Sequence, residues 1–260
     1  MIKRSLFLTF ILILLLTSCD KAPQQDLRDT ESALESIKEL GAEYYAKNEY
    51  KEIEDRYKNI VSKINEKQTK IFKKFSKEKK ELISLREEAE RLKEVIKERE
   101  RSFHDFFVKT IGKTYILALM SSMSCAAISD FWKMAIKYSY LDVDEAVGEG
   151  VDALKKTGVY DILEKFKKEV EEDIKKIKDP HPKYKKSYDS LINMYRYAIK
   201  TYKAAISPSG SFISYNAMVN NNYGEVEKIY EEIIVILPEV KKEVESQEKE
   251  LGKIIKKKII

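Results

Sequence analysis

Apolar side chains recur at alternating steps of four and three residues through most of the first half of the chain. The positions are Tyr57, Val61, Ile64, Gln68, Ile71, Phe75, Glu78, Leu82, Leu85, Ala89, Leu92, Ile96, Arg99 and Phe103. All but Gln68, Glu78 and Arg99 are apolar, and charged residues occupy the other faces. This heptad seam predicts coiled-coil packing within residues 26–108. A straight helix over residues 50–105 would span roughly 80 Å, so we expect either a projecting stalk or two helices that fold back on each other.

The second half of the chain also carries helical patterns, beginning with an uncharged stretch at residues 114–129 (TYILALMSSMSCAAIS). A membrane-spanning helix needs roughly 20 apolar residues. This stretch is shorter and rich in serine, so it predicts a helix buried among others, with membrane insertion as the alternative. We expect the core-forming block to continue through Trp132, Ile136, Tyr138 and Tyr140.

Turn residues divide the remaining sequence into helices. Asp142 or Asp144 is predicted to cap a helix, and an amphipathic helix follows over residues 151–178 with Gly158 as its weak point. Pro180 and Pro182 predict a firm break, because proline removes a donor and restricts the residue before it.

The last part of the chain predicts a tyrosine-rich helix at residues 184–206, a turn at 207–210, and a final helix from 212 onwards. We expect this final helix to break near residues 220–224 (NNNYG) and to kink or split at Pro238.

The amino-acid composition also indicates a helical protein. The chain has 8 Gly, 5 Pro and 36% charged residues. No stretch alternates apolar and polar residues with the period of two that is typical of a β-strand. The predicted class is therefore all-α: a long N-terminal coiled-coil helix or helical hairpin in residues 26–108, followed by an elongated helical bundle in residues 109–260.

The N-terminus has the form of an export signal. Lys3 and Arg4 precede an uncharged run at residues 5–18, which predicts a secretory signal peptide over residues 1–18. Its end, Leu16-Thr17-Ser18-Cys19, resembles the lipobox of bacterial lipoprotein signals. That resemblance implies cleavage before Cys19, a diacylglycerol on its sulfur and an acyl chain (typically palmitate) on its new amino group. Residues 19–25 then form the lipidated cysteine and a solvated tether. The alternative is an ordinary signal peptide with an incidental cysteine.

Catalytic and metal-binding patterns are missing from the sequence. We find no GxSxG, phosphate loop, HExxH or CxxC motif. With Cys19 acylated, Cys125 is left alone, so no intramolecular disulfide can form, and its apolar surroundings predict a buried side chain. The only histidines are His104 and His181. The acidic run at residues 171–173 is expected to be a solvated face. We therefore predict a protein that is not an enzyme and binds no cofactor or metal.

Net charge is +5, or +3 once Lys3 and Arg4 are removed with the signal. Within residues 63–80 lysines recur at helical steps and predict a basic stripe beside the apolar seam, suited to sequence-independent binding of polyanions. A second cluster lies beside Tyr184 and Tyr188, where aromatic and basic residues mix. The alternative for both is a solvated helix surface. The predicted polyanion-binding residues are Lys63, Lys67, Lys70, Lys73, Lys74, Lys77, Lys80, Lys183, Lys185 and Lys186.

The LTSC lipobox and the helical, disulfide-free body, biased towards Lys, Ile and Asn, resemble the plasmid-encoded lipoproteins of Borrelia, the Lyme and relapsing-fever spirochaetes. Residues 205–216 (AISPSGSFISYN) and the N-terminal coiled coil resemble the paralogous family often numbered twelve. This resemblance implies a helical envelope protein and non-specific DNA binding. From it we carry over only the lipid site at Cys19.

Three functions remain open at this point. The leading hypothesis is a lipid-anchored, non-enzymatic envelope protein that acts by binding or structure, in the outer membrane rather than the inner one, with surface or periplasmic exposure undecided. The second is binding of DNA or another polyanion through the lysine stripe. The third is an oligomeric coiled-coil scaffold. The predicted partners are the membrane, then nucleic acid, glycosaminoglycan or a host protein, and a second copy through the heptad seam.

Overall fold

The computed structural model describes residues 21–69, 74–138, 142–177 and 179–259, with side chains placed up to Lys253. The described residues are helical with connecting turns and no strand, which confirms the predicted all-α class. The helices are α1 (Gln24–Glu39), α2 (Ala42–Tyr45), α3 (Lys47–Gln68), α4 (Ser76–Lys137), α5 (Val143–Lys156), α6 (Val159–Lys176), a 3₁₀ turn (Pro182–Tyr184), α7 (Lys185–Ile206), α8 (Phe212–Ile236) and α9 (Glu239–Ile259).

The chain divides into two compact units between Phe103 and His104, and α4 contributes residues to both. Unit 1 contains α1, α2, α3 and the first part of α4. Unit 2 contains the rest of α4 and all later helices.

Unit 1 is built on a helical hairpin. Pairs between α3 and α4 move apart in sequence from the connection outwards: Lys67 with Glu78, Arg56 with Glu88, and Glu49 with Arg99. This order means that the two helices run antiparallel, so the fold-back alternative is the one observed. The seam side chains fill the space between the helices. The buried seam residues of α4 are Leu82, Leu85, Ala89, Leu92 and Ile96.

Helix α1 covers the hairpin and ends at a tight turn. Its buried face, with Leu34 and Ile37, joins the same apolar cluster. Gly41 follows with φ of +88°, and its N–H donates to the carbonyl of Lys38 at 2.9 Å. A residue with a Cβ is disfavoured at this φ, so glycine lets the chain reverse there.

Unit 2 buries the uncharged stretch as predicted. Ile116, Leu117 and Ala118 are fully buried, whereas Met123 stays exposed. Helix α4 is long and apolar enough to pass a length-and-composition test for a membrane span, but 61% of its most apolar window is buried inside the protein. The stretch therefore packs as a core helix of unit 2.

The turn predictions in unit 2 are mostly confirmed. Asp142 caps α5, its carboxylate accepting from the N–H groups of Asp144 and Glu145 at 2.8 and 3.0 Å. Gly158, with φ of +70°, separates α5 from α6. Pro238 lies between α8 and α9, as expected.

Two expectations about unit 2 are wrong. Helix α8 runs without a break through residues 220–224, because Asn222 is buried in the core and packing outweighs local propensity. The core also stops before the end of α4. Trp132 is buried, but Ile136 and Tyr138 are 55% and 41% exposed, since α4 ends at Lys137 and leaves their side chains at the edge of the packed helices. Tyr140 lies outside the described residues.

Candidate functional site

The predicted lysine stripe is not a single helical surface. Helix α3 ends at Gln68 and α4 begins at Ser76, so the regular spacing of lysines is split between two antiparallel helices and their connection. Lys70 and Lys73 lie outside the described residues. The remaining lysines of residues 63–80 gather around one end of the hairpin, where they form what we call the lysine end of unit 1.

Within the lysine end, one lysine has a structural role. The Lys67 ammonium contacts the Glu78 carboxylate at 2.7 Å and donates to the carbonyl of Lys74 at 3.2 Å. Burial by itself would raise the pKa of Glu78, but hydrogen bonds from Lys67 and from its own backbone outweigh burial and hold that pKa below its ordinary value. The pair therefore fastens α3 to α4, and Lys67 is not free for a ligand.

The other lysines of this end face solvent. Lys77 lies 3.8 Å from Glu81. Among the described residues, Lys63, Lys74 and Lys80 are exposed and form no ion pair. These three are the predicted polyanion-binding lysines that remain available.

The second predicted cluster is only partly suited to stacking. The ring of Tyr184 is buried and packs 5.4 Å from that of Phe107, so it cannot receive a base, which corrects the expectation for this residue. Lys183 lies over the Tyr184 ring at 4.9 Å, and Lys185 pairs with Asp189 at 3.2 Å.

Lys186 belongs to a longer basic surface that was not among the predicted binding residues. Six of the exposed positions on α7 follow steps of three and four, and all of these but Asp189 are basic or neutral. They are Lys186, Asp189, Asn193, Arg196, Lys200 and Lys203. The regular spacing of the three cations from Arg196 to Lys203 was a readable signal. We call this surface the α7 basic face.

A groove of about 740 Å³ runs between the α7 basic face and α8. Arg196, Lys200 and Lys203 line one wall, and Lys228 of α8 adds a fourth cation. Its acidic members are Glu225 and Glu232, so cations outnumber carboxylates. Lys200 lies 4.8 Å over the ring of Tyr197, which keeps an ammonium beside an aromatic surface at the groove.

The acidic run at residues 171–173 is a solvated face only in part: Glu172 is exposed as expected, whereas Asp173 is not. Asp173 is buried and bonds the ammonium of Lys113 at 2.9 Å. Burial disfavours the charged Lys113, but hydrogen bonds to Asp173 and Glu169 outweigh this and raise its pKa above the ordinary value. The carboxylate of Glu171 accepts from Tyr195 at 2.8 Å. These groups connect α6 to its neighbours and have a structural role.

Cys125 is buried as predicted. Its thiol lies 3.6 Å from the carbonyl of Thr201, and burial raises its pKa to about 11, so the reactive thiolate is disfavoured. His104 bonds the hydroxyl of Tyr184 at 3.1 Å. The ring of His181 accepts from the N–H of Lys183. Within the described ranges, no three His, Cys, Asp or Glu side chains come together to hold a metal ion.

An apolar pocket of about 420 Å³ also opens in unit 2, lined by Leu119, Met123, Leu154 and Leu251 among others. Its one hydroxyl, on Ser124, donates to the carbonyl of Met120 at 2.9 Å. That hydroxyl is thus engaged within its own helix.

The heptad seam, finally, is used inside unit 1. Leu82, Leu85 and Ile96 are fully buried within a single chain, so these residues do not offer the exposed apolar face on which pairing with a second copy depended. The predicted lipid site at Cys19 lies outside the described residues.

No protein-family model matches this chain, and neither the curated proteins nor the solved structures contain a match. The resemblance to spirochaetal lipoproteins therefore stays a prediction.

Proposed function

We propose that this chain is a lipid-anchored protein of a cell envelope that acts by binding at its surface. The proposal is supported by the lipobox-like sequence Leu16-Thr17-Ser18-Cys19 that ends the predicted export signal. The distance of Cys19 from the first helix sets how near the bilayer the protein lies. Helix α1 begins at Gln24, five residues after the predicted acylated cysteine. At roughly 3.6 Å per residue, a fully extended tether lets α1 begin no more than about 18 Å from that cysteine. Such a protein works within a short distance of the bilayer.

The anchor is tested by the state of the mature N-terminus. We expect mass spectrometry of the full-length protein expressed in a diderm bacterium to find Cys19 as the first residue, carrying a diacylglycerol and an N-acyl chain. Growth with labelled palmitate should label the protein, and Cys19→Ala should abolish the label. An unmodified N-terminus, or label retained by Cys19→Ala, would contradict the anchor. Protease treatment of intact cells then separates surface from periplasmic exposure.

The α7 basic face supports a second function, binding of an extended polyanion such as DNA or a sulfated glycan. Its cations lie along one exposed side of α7 and beside a groove, and tyrosines flank them. Binding of this kind is independent of sequence and weakens steeply with salt, because counterions are released on binding.

This second function is tested on heparin and on duplex DNA. We expect the combined change Arg196→Gln, Lys200→Gln and Lys203→Gln to lower the affinity at least tenfold and to reduce the slope of binding against salt. The control removes three exposed charges elsewhere in unit 2. It combines Lys156→Gln, Lys175→Gln and Lys241→Gln. Equal losses in both variants would show that net charge, and not this surface, is responsible.

A further inference from the structure

The lysine end of unit 1 coincides with the place where the chain leaves towards Cys19. Asp26 near the start of α1 lies 3.8 Å from Lys79, and Thr30 one turn later donates to the carbonyl of Leu82 at 3.3 Å. Pairs that advance together along both helices mean that α1 runs parallel to α4. The first residues of α1 and of α4 are therefore at the same end of unit 1, which is also where α3 ends.

This end presents ammonium groups to solvent. Glu78 is buried against Lys67, and Asp26 lies 3.8 Å from Lys79. Glu66 stays exposed, but in the described part of residues 63–80 six lysines outnumber two carboxylates. Lys63, Lys74 and Lys80 stay exposed, and Lys21 lies exposed just before α1. The charge that a ligand meets here is thus positive, although unit 1 carries many acids elsewhere.

The short tether brings this charge to the bilayer. With Cys19 acylated, the start of α1 is held within about 18 Å of the lipid by chain length alone. Electrostatic attraction is screened over roughly 8–10 Å at physiological salt, so lysines around the start of α1 and α4 come within reach of headgroup charge. An acyl anchor holds more firmly when a polybasic patch adds a second attachment.

The residue types favour headgroups over nucleic acid. Within residues 63–69 and 74–81, every described cation is a lysine, and the one aromatic side chain, Phe75, is buried. Nucleic-acid surfaces commonly add arginine forks and exposed aromatic rings to their lysines. Lysine ammonium groups act as mobile point charges, which suits a fluid array of lipid phosphates.

We propose that the lysine end of unit 1 binds anionic phospholipid headgroups of the bilayer in which Cys19 is anchored, so that unit 1 is attached to the membrane by lipid and by charge. This inference rests on the proposed function for the presence of the anchor. The headgroup contact itself uses only residues of the folded chain.

The test uses residues 20–260, which include every residue the structure describes, produced without the lipid. Sedimentation with vesicles of phosphatidylcholine alone and with added phosphatidylglycerol measures the preference for anionic lipid. The test variant combines Lys63→Gln, Lys74→Gln and Lys80→Gln. At about fivefold per lysine near an anionic surface, three lysines together should lower the affinity for anionic vesicles on the order of 100-fold.

The control variant makes the same change of charge at the other end of unit 1. It combines Lys47→Gln, Lys51→Gln and Arg101→Gln, which lie near the Glu49–Arg99 pair. We expect its affinity for anionic vesicles to change less than threefold. Circular dichroism should show equal helix content and thermal midpoint for both variants, because all six side chains are exposed.

Three results would overturn the proposal. The first is equal binding of the protein to both vesicle types. The second is an equal loss of affinity for anionic vesicles in the test and control variants. The third is a protein that binds duplex DNA but not vesicles, and whose DNA binding is lost in the test variant. An unmodified Cys19 in cells would remove the anchor but leave these vesicle measurements unchanged, so failure of the anchor and failure of the headgroup contact are distinguishable.

Discussion

Unit 1 and unit 2 are both helical, yet they bury different kinds of side chain. In unit 1 the described core buries two polar residues, Thr30 and Glu78, beside apolar side chains and the rings of Tyr45 and Tyr50. Unit 2 buries many more polar groups. They are Thr110, Thr114, Ser121, Ser124, Ser129, Asp173, Ser187, Thr201, Asn222 and Gln247. Half of these residues donate a hydroxyl to the carbonyl one turn back in their own helix, whereas Ser129, Asp173 and Gln247 bond other helices or segments of the chain. Unit 1 is thus packed along a repeating apolar seam, and unit 2 adds a few individual polar contacts between helices to its apolar core.

The polar contacts of unit 2 fix particular helices against each other. The hydroxyl of Tyr215 donates to the carbonyl of Ala204 at 3.3 Å, and Ser129 donates to Asn216 at 2.7 Å. A buried polar group without a partner costs about 1–3 kcal/mol, so such pairs disfavour any other register. In unit 1 the apolar packing of the seam already favours one register of α3 against α4. The ion pairs beside the seam are compatible with that register.

The largest effect should come from the seam of unit 1. Ile96 is fully buried between the helices, whereas its neighbour Val95 is 37% exposed. We expect Ile96→Ala to lower the free energy of unfolding by about 4 kcal/mol, because it removes buried methyl groups and leaves a cavity. Urea denaturation followed by circular dichroism measures this change.

Val95→Ala is the matched control, and it should cost less than about 1 kcal/mol. If the two substitutions had equal effects, unit 1 would not be held together by its seam. The comparison with unit 2 would then fail.

The next effect tests the buried ion pair of unit 2. Lys113→Met leaves the Asp173 carboxylate buried with its main partner removed, and we expect a loss of about 3 kcal/mol. The double variant Lys113→Met with Asp173→Leu removes both charges and should recover much of this loss. Denaturation of these two variants, of Asp173→Leu alone and of the unchanged protein gives the coupling energy. A double variant no more stable than Lys113→Met would show that neither charge depends on the other.

This contrast explains how much of the fold was predictable. The seam of unit 1 can be predicted from the sequence because its apolar residues recur at a constant spacing. The polar residues Gln68 and Arg99 at two of its positions do not hide that spacing. In unit 2 the decisive contacts join residues far apart in sequence, such as Lys113 with Asp173. Sequence alone could not tell that Asp173, in an acidic run on a lysine-rich helix, would face inward, nor that packing of Asn222 would keep α8 intact.

The candidate surfaces show the same limit. The lysine cluster at residues 63–80 was found by counting charge, but its arrangement depended on where α3 ends. The α7 basic face had a readable spacing and was missed because its cations are interleaved with tyrosines and do not raise the local net charge as sharply. Neither the seam nor the charge count indicated that the start of α1 and the lysine end lie together.

A smaller effect is the pH dependence of stability that the buried thiol of Cys125 gives to unit 2. The Cys125 thiol has its pKa raised by burial from 9.0 to about 11. The folded state therefore keeps its proton where the unfolded state has lost it, so unfolding becomes easier as pH rises from the unfolded pKa towards the folded one. Between pH 8.5 and 9.5 we expect a loss of about 0.7 kcal/mol that is absent in Cys125→Ala. A pH dependence that is unchanged in Cys125→Ala would mean that another group causes it.

The smallest effect concerns the flanking ion pairs of unit 1. Arg56 contacts the Glu88 carboxylate through both terminal nitrogens, at 2.5 and 3.0 Å, and both side chains are partly exposed. The hydrogen bond from Arg56 lowers the pKa of Glu88, so the stabilisation is present above the unfolded pKa and is lost as pH falls through the folded value. We expect Arg56→Gln to cost only about 0.5 kcal/mol at neutral pH, less in 1 M salt, and nothing once Glu88 is protonated. Urea denaturation at neutral and acid pH, each at two salt concentrations, tests this.

A cost that stays the same in acid or in high salt would mean that Arg56 stabilises unit 1 through packing of its alkyl chain. A cost approaching that of Ile96→Ala would mean that charge, and not the seam, specifies unit 1.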